Sequence, residues 1–389
     1  MSATATETRT ETVLTTQVEA GSTAPPAPVE APVEAPVEAP VEAPAAHRKP
    51  LELTGALEQF QYEESTPVIG REFPSVNIVD DILNAKNADD LLKDLAITIS
   101  QRGVVFFRKQ DNLTDDLQKV LVQRLGELSQ KPKESTLHIH PLLNSTSEFG
   151  VSDNEISTIS SKAFKSYAEA QRDRDDRHGG AATWHSDIQF ERFPADYTSL
   201  RLTELPKTGG DTLWASGYEL YDRFSAAYQT FFEGLTAKFV GEGFLKAAAA
   251  RPDKFQLYEE ARGNPANSGK DLEAVHPVVR TNPVTGWKSI FAIGNFPQRI
   301  NELSAKESRE LLDLFYKRIE ENHDLQVRFK WRNQNDLAIW DNRSAFHSAT
   351  NDYDGLGDRF GHRAVGIGEK PYLDPNSTTR TASLASKAQ

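Results

Sequence analysis

Three side chains in the sequence have the types and spacing of a mononuclear metal site. His185 and Asp187 are two residues apart in the segment ATWHSDIQF, and residues two apart in a strand point to the same face. A third ligand must come from another segment, and His347 in AIWDNRSAFHSATNDY is the best candidate. Two imidazoles and one carboxylate on one face of Fe(II) leave three adjacent positions for a chelating cosubstrate and O₂. A single His-x-Asp is a weak signal, because about one is expected by chance, and a lone His185 is more often structural.

A second group of charged residues follows in the segment DRFGHRAVGIG. Arg359 and Arg363 are four residues apart, so in an extended chain their side chains lie on the same side as Gly361. Two guanidinium groups on an inner face are costly unless anions meet them, and arginine binds a carboxylate or sulfonate through two parallel hydrogen bonds. With the metal ligands, this pair predicts a site for a dicarboxylic keto acid and a small anionic organic substrate. The alternative is two surface arginines paired with nearby acids, namely Asp352, Asp354 or Asp358.

Hydrophobic periodicity predicts the elements that position these residues. Leu91, Leu95 and Ile99 repeat every four residues, and Gly103 follows where a helix would stop. With the same stripe elsewhere and a capping-box pattern at Ser304, three helices are predicted, over 88–102, 114–128 and 304–321.

Other segments are short, alternate at period two and are separated by Gly, Pro and Asn turns. Strands are predicted around 104–107, 200–202, 327–331 and 337–339. This pattern favours a mixed α/β fold, mainly β, in which an antiparallel β-sandwich or barrel carries flanking helices.

Composition limits the class of protein. The chain has 389 residues, no Cys and a net charge of −13, from 44 basic and 57 acidic residues. The lack of Cys excludes disulfides, thiolate metal sites, iron–sulfur clusters and a Cys nucleophile. The negative charge argues against nucleic acid or an anionic membrane as a partner. Mean hydropathy is −0.55, no run of about 18 apolar residues occurs, and the start lacks the regions of a secretory signal, so we expect a cytoplasmic protein.

Three regions are expected along the chain. Residues 1–46 are rich in Pro, Glu and Ala and contain the repeat PVEAPVEAPVEAPVEAP, so we expect a disordered tail. Residues 47–375 are expected to form a single domain, in which 160–183 has the character of a local insertion or lid. Residues 376–389 are rich in Ser, Thr and Ala and are expected to be a flexible C-terminal tail.

In several blocks of sequence the chain resembles the taurine/alkylsulfonate dioxygenases, which are Fe(II)- and 2-oxoglutarate-dependent, and within them the fungal type of sulfonate dioxygenase. The resemblance runs from about Gly103 to Tyr372 and rests on the order and spacing of GVVFFRKQ, RLGELSQKPKESTLHIHP, WHSDIQF, ELPKTGGDTLWAS, FPQRINELSAKES, LAIWDNRSAFHSATNDYD and HRAVGIGEKPY. It implies a double-stranded β-helix (jelly-roll) core with flanking helices. It also implies Fe(II) as the metal, 2-oxoglutarate and O₂ as cosubstrates, and a homodimer or homotetramer.

The resemblance assigns roles to residues at matching positions. Thr212, in GGDTLW, lies where the family binds a carboxylate of 2-oxoglutarate, and Arg359 lies where it binds the distal carboxylate. Arg363 and His140 match positions that hold the sulfonate of the substrate. The alternatives are a plain strand threonine for Thr212 and a core histidine for His140. The implied Fe(II) ligands are His185, Asp187 and His347.

Two positions depart from the taurine-specific members. Those members have a Tyr three residues after the equivalent of His140 and an Asn four residues before the first iron ligand, whereas this chain has Leu143 and Ala181. The change removes polar groups that would meet a small zwitterion and leaves more apolar room. The resemblance thus implies hydroxylation of the carbon next to sulfur in an alkylsulfonate, taurine-like or bulkier, or in an alkyl sulfate. The adduct would collapse to an aldehyde and sulfite or sulfate, with succinate and CO₂ as coproducts.

Two other hypotheses stay open at this point. The same fold and arginine pair would serve a carboxylate substrate, such as an aryloxyacetate or a free amino acid, and only a sulfonate would release sulfite. A non-catalytic module that keeps the fold and binds an anion is the alternative outside the enzyme class. Loss of an iron ligand or of Arg359 would favour such a module, and the sequence retains all four residues.

Overall fold

The computed structural model describes residues 48–143, 150–162 and 184–387. The tail predicted over 1–46, most of the expected lid over 160–183 and Ala181 lie outside these ranges. Pro44–Gln389 forms one compact unit. None of the helices in the described ranges has the length and apolarity needed to cross a membrane.

The described residues combine strands and helices in one mixed α/β fold. The strands are β1 Glu63–Glu64, β2 Arg71–Phe73, β3 Val104–Phe107, β4 Ile156–Ser160, β5 Ala195–Glu204, β6 Thr212–Ser216, β7 Thr236–Val240, β8 Glu273–Pro277, β9 Val279–Thr281, β10 Lys288–Ile290, β11 Pro297–Ile300, β12 Gln326–Phe329, β13 Asp336–Asp341, β14 Ala345–Ala349 and β15 Phe360–Ile367. The α-helices are α1 Ala88–Arg102, α2 Asp115–Leu128, α3 Gly217–Asp222, α4 Ala226–Glu233, α5 Glu242–Ala250, α6 Ala305–Glu321 and α7 Arg380–Lys387. Short 3₁₀ turns span Ala56–Gln59 and His323–Leu325, and a π-helical turn spans Ile78–Leu83. Helices contribute about as many residues as strands, so the predicted predominance of β structure is not seen in these ranges.

The strands of the described residues form one large sheet and three small ones. The large sheet has seven strands in the order β1-β2-β3-β13-β5-β15-β4, and the sheet that matters most for the site has the order β12-β6-β14. The other two small sheets are β11-β7-β8 and β10-β9. Among the strand pairs of the described residues only β2 and β3 run parallel, and the other neighbours are antiparallel.

Alternation along the central strands divides the core into two layers. In β3, Val105 and Phe107 pack with α1 and α2 on one face of the large sheet. Val104 and Phe106 face the other way and pack with Trp214 of β6, on the smaller sheet. Since successive side chains of a strand point to opposite faces, the apolar run predicted as a buried strand is buried on both sides. The two apolar layers thus separate three layers of secondary structure, namely the helices α1 and α2, the large sheet and the sheet β12-β6-β14.

The three helices predicted from periodicity are confirmed. Helix α1 ends at Gly103, whose φ of 74° suits a residue without a side chain. Helix α2 begins after Thr114, whose hydroxyl accepts the main-chain N–H of Leu117 at 3.3 Å. Helix α6 begins with the predicted capping box, in which Ser304 and Glu307 each accept the other's main-chain N–H.

The segment predicted as a flexible C-terminal tail contains helix α7. Its first residue, Arg380, is buried, donates to a carboxylate oxygen of Glu219 at 2.7 Å and lies over the ring of Trp287. The hydroxyl of Thr381 donates to Asp222 at 2.6 Å. These contacts join α7 to α3 through residues far apart in the chain, which local composition does not reveal.

Candidate active site

A main-chain bridge brings the predicted metal ligands together. His185 and His347 form an isolated antiparallel pair, in which each N–H donates to the other's carbonyl, at 3.1 and 2.8 Å. Their ring centroids are 4.2 Å apart, and Nε2 of His347 is 3.9 Å from Oδ1 of Asp187. One ligand atom from each of the three residues lies within 4.8 Å of the others. This spacing allows one ion to be bound by all three side chains.

The protonation states of His347 and Asp187 suit a divalent metal. Burial lowers the pKa of His347 to about 3, and the neighbouring His185 adds to the effect, so its imidazole is neutral at pH 7. Burial alone would raise the pKa of Asp187, but the charge of Arg363, with His347 and His185, brings it to about 2. Neutral imidazoles and an ionised carboxylate are the forms that bind metal. The donor set therefore fits Fe(II) in the arrangement of two histidines and one carboxylate.

Arg363 lies against the carboxylate of Asp187, one of the three candidate metal ligands. Its Nη1 donates to Oδ1 of Asp187 at 2.7 Å, while its Nε is buried without a hydrogen-bond partner among the described residues. Among the described residues, neither Arg359 nor Arg363 forms the alternative ion pairs with Asp352, Asp354 or Asp358. Asp358, for example, lies 3.1 Å from Lys162 instead.

Arg359 occupies a separate, buried position beside Thr212. Its Nε donates to the carbonyl of Gly210 at 3.0 Å, and its Nη2 lies 3.2 Å from the hydroxyl of Thr212. That hydroxyl also accepts the indole N–H of Trp331 at 3.1 Å. Arg359 is 4% exposed, burial lowers its pKa, and within the described ranges no carboxylate forms an ion pair with it. A buried guanidinium without a counter-charge is a place for an anionic ligand.

His140 is held at the edge of the same region. Its Nδ1 lies 3.1 Å from the main-chain N and 2.9 Å from the carbonyl O of Leu142, and its ring meets Phe244 edge-on with centroids 4.9 Å apart. Burial, followed by the charges of His138 and Arg363, lowers the pKa of His140 to about 3. Leu143 is half-buried. Ala181, the other position predicted to shape the substrate pocket, lies outside the described residues.

Sequence reasoning did not single out several residues that complete the site. Asn342 accepts the main-chain N–H of Asp187 on its Oδ1 at 3.0 Å, and Thr198 donates to Oδ2 of Asp187 at 3.1 Å. Phe296 lies edge-on to His185, with ring centroids 6.3 Å apart. Asn342 stands inside the block that carries His347, and a buried amide in such a block was the available signal. Phe296 likewise stands at the start of the block FPQRINELSAKES. Thr198 gave no signal, because its role depends on strand pairing.

Comparisons with known proteins indicate one family of enzymes for this chain. A family model described as "Taurine catabolism dioxygenase TauD, TfdA family" matches residues 61–365. The alpha-ketoglutarate-dependent dioxygenase btcD of Neocamarosporium betae is 49% identical over 345 residues, which cover 86% of this chain and 98% of that protein. A putative alpha-ketoglutarate-dependent sulfonate dioxygenase of Schizosaccharomyces pombe is 33% identical over 301 residues, 77% of this chain and 69% of that protein. The crystal structure of a putative alpha-ketoglutarate-dependent taurine dioxygenase from Burkholderia xenovorans has a TM-score of 0.60 at 25% identity, covering 82% of this chain and 92% of that one.

Proposed function

This chain belongs to the TauD, TfdA family and is a 2-oxoglutarate-dependent dioxygenase, and we propose that it hydroxylates the carbon next to sulfur in an alkylsulfonate or alkyl sulfate bulkier than taurine. The products would be an aldehyde with sulfite or sulfate, together with succinate and CO₂. Membership of this dioxygenase family argues against the alternative of a non-catalytic binding module.

The metal and the cosubstrate would occupy adjoining parts of the site. His185, Asp187 and His347 would hold Fe(II), which when bound supplies the redox chemistry that activates O₂. Thr212 and Arg359 would bind the distal carboxylate of 2-oxoglutarate, which gives the buried guanidinium its counter-charge. The observation that carries the cosubstrate assignment is that Arg359 is 4% exposed and has no ion-pair partner in the described ranges.

The substrate would lie on the other side of Asp187. Arg363 presents its guanidinium there, with a buried Nε that lacks a partner among the described residues, and His140 is close enough for Arg363 to lower its pKa. A neutral His140 donates or accepts one hydrogen bond without adding charge, so Arg363 would supply the charge that neutralises the anionic group. The ring of Phe244 is an apolar neighbour of His140, and the half-buried Leu143 follows His140 by three residues, which favours a substrate with an apolar chain.

The sulfur-containing substrate class is supported by the relative from Schizosaccharomyces pombe, which is named a sulfonate dioxygenase. A carboxylate substrate, such as an aryloxyacetate or an amino acid, is the second candidate. The relative that is 49% identical has a name that gives the cosubstrate and no substrate, so it does not distinguish the two candidates. The same arginine binds either anion.

The reaction separates the two candidates. We would supply Fe(II), ascorbate and 2-oxoglutarate in air and measure sulfite or sulfate and succinate with taurine and with alkanesulfonates and alkyl sulfates of increasing chain length. We expect sulfur release with an optimum beyond taurine, and Leu143→Tyr should shift that optimum toward taurine. Leu53→Tyr, at an exposed position away from the site, is the matched control. Succinate formed with a carboxylic acid, and no sulfur release from any sulfonate or sulfate, would contradict the sulfur assignment and support the second candidate.

The finer features of the assembly are proposals as well. The seven-stranded sheet and the sheet β12-β6-β14, with their shared apolar layer, would be the two faces of a double-stranded β-helix core. A homodimer or homotetramer in the cytoplasm, with no nucleic acid and no membrane as partner, stays a prediction of the sequence. Size-exclusion chromatography with light scattering would test the oligomeric state.

A further inference from the structure

We propose that Thr198 and Asn342 are positioning residues that hold Asp187 as a metal ligand through one oxygen, Oδ1. This inference rests on the metal site proposed above. Thr198 lies on β5 in the middle of the large sheet. Residues two apart in a strand share a face, so its side chain lies on the same face as Leu200 and Leu202, which pack against the sheet β12-β6-β14. Asn342 follows β13 directly, in the turn that leads to β14.

The orientation of the Asn342 amide is fixed by its neighbours. Its Oδ1 accepts the main-chain N–H of Asp187 at 3.0 Å and the indole N–H of Trp340 at 3.1 Å. Its Nδ2 donates to the carbonyl of Asp196 at 3.1 Å and to the hydroxyl oxygen of Thr198 at 2.8 Å. Turning the amide over would place its NH₂ against two N–H donors, so only one orientation satisfies all four groups.

This orientation determines the direction of the next hydrogen bond. Because the hydroxyl oxygen of Thr198 accepts from Asn342, the hydroxyl proton is free to donate, and Oδ2 of Asp187 lies 3.1 Å away. Thr198 and Asn342 are 0% and 1% exposed, so water does not compete for these groups. The result is a directed chain of hydrogen bonds, from Asn342 to Thr198 to Asp187.

The chain of hydrogen bonds leaves the two oxygens of Asp187 unequal. Oδ2 accepts the hydroxyl of Thr198 from within the core. Oδ1 accepts Nη1 of Arg363 at 2.7 Å and faces Nε2 of His347 at 3.9 Å, on the side of the other ligands. A carboxylate that bound the metal through both oxygens would take one of the three positions that 2-oxoglutarate and O₂ need. Thr198 therefore protects an open coordination position, and partners of metal ligands commonly affect metal affinity by about 10–100-fold.

The test measures binding of Co(II), which forms a coloured complex that needs no turnover. Thr198→Val keeps the shape of the side chain and removes the hydroxyl, and Thr198→Ser restores it. Thr203→Val on the same strand, whose hydroxyl donates to the carbonyl of Phe360 at 3.4 Å, is the matched control. We expect Thr198→Val to weaken Co(II) binding about 10–100-fold and to change the visible Co(II) bands. Thr198→Ser should recover most of the affinity, and Thr203→Val should match the wild type.

Three results would overturn the proposal, and the failure of the hydroxyl's role is distinguishable from the failure of the metal site. If Thr198→Val binds Co(II) with wild-type affinity and bands, or if Thr198→Ser behaves like Thr198→Val, the hydroxyl has no positioning role. If His347→Ala binds Co(II) as tightly as the wild type, the metal site itself is misassigned, and the inference falls with it. Urea unfolding of each metal-free variant reports whether a variant that binds Co(II) weakly is folded. If Thr198→Val does not fold, Thr198→Ser still tests the proposal.

Discussion

Replacing Arg359 by Met should weaken 2-oxoglutarate binding severely while leaving the fold almost as stable as before. Arg359 is buried, and its pKa is lowered chiefly by that burial, with Tyr353 and Asp211 offsetting only part of it. A lowered pKa means that the folded protein disfavours the charge relative to water. Met retains the apolar stem and removes the charge.

The magnitude follows from two opposing effects. Removing the charge relieves a desolvation cost of several kcal/mol, but it also gives up the hydrogen bonds to Gly210 and Thr212, worth about 1.5–3 kcal/mol each. These effects nearly cancel, so we expect the free energy of unfolding of the metal-free protein to change by no more than about 1 kcal/mol. Loss of a buried charge pair with the cosubstrate costs about 2–5 kcal/mol, or roughly 30-fold to several thousand-fold in Kd.

Arg343→Met is the matched control for stability. Arg343 is also buried, but it donates two hydrogen bonds to Asp341, at 2.8 and 2.9 Å. Burial alone would lower the pKa of Arg343, but the negative charge of Asp341 does most to raise it above its usual value. Removing it leaves a buried carboxylate unpaired, which costs about 3–5 kcal/mol. The two arginines are similar in burial and opposite in expected effect on the fold.

The assays are urea unfolding of the metal-free protein and calorimetric titration of 2-oxoglutarate into Co(II)-loaded protein. The reasoning is refuted if Arg359→Met destabilises the fold as much as Arg343→Met does, because Arg359 would then have a counter-charge. It is refuted equally if Arg359→Met binds 2-oxoglutarate within a few-fold of the wild type.

Three further predictions concern the site and its surroundings. Gly294 has a φ of +97°, and a Cβ there would overlap the carbonyl oxygen of Trp184, next to a metal ligand. Gly294→Ala should therefore weaken Co(II) binding at least about tenfold. Gly269, with a φ of +83° and open space around it, is the control, and Gly269→Ala should cost only about 1–2 kcal/mol of stability. Co(II) titration and urea unfolding of both variants check these expectations. Burial lowers the pKa of His276 to about 3, so as the pH falls below about 6.5 the unfolded chain takes up a proton that the folded chain does not, and stability is lost at about 1.4 kcal/mol per pH unit down to about pH 3. His276→Gln should reduce the slope of unfolding free energy against pH, between pH 6 and pH 4, by about that amount. An unchanged slope would contradict the burial argument. His323→Gln, at an exposed position, is the control. Finally, Co(II) at a hundred times its Kd should raise the free energy of unfolding by about 2.7 kcal/mol, and a chelator should remove the whole gain.

Helices α1, α2 and α6 were predictable because their causes are local. The apolar stripe and Gly103 define α1, and Ser304 with Glu307 defines the start of α6, within a few residues of sequence. Helix α7 was not predicted, because Arg380 is anchored by contacts with residues more than ninety positions earlier, such as Glu219 at a separation of 161. A helix whose stability comes from tertiary contacts leaves little trace in its own composition.

The sequence predicted that His185, Asp187 and His347 form a group, and the structure brings these three side chains together, but the arrangement around them was less predictable. Period-two spacing placed Arg359 and Arg363 on one side of an extended chain. The structure has an irregular register between Phe360 and Gly361, and the two side chains reach different partners. The arrangement of Thr198 around Asp187 depends on which strands pair across the sheet, which the spacing of residues does not determine.

The pairing of distant segments at the site also has a consequence for how the protein is made. Arg363 and Asp187 meet across 176 positions of sequence, and Ser186 meets Asn342 across 156. Closing loops of this size is slow compared with forming helices, and during synthesis the earlier segments fold first. Helices α1 and α2 can pack on the ribosome, whereas the three candidate ligands stay apart until β14 has been translated. Metal loading at the proposed site would therefore be a late event in the life of each chain, and a nascent chain arrested before residue 347 would have two of the three candidate ligands and no closed site.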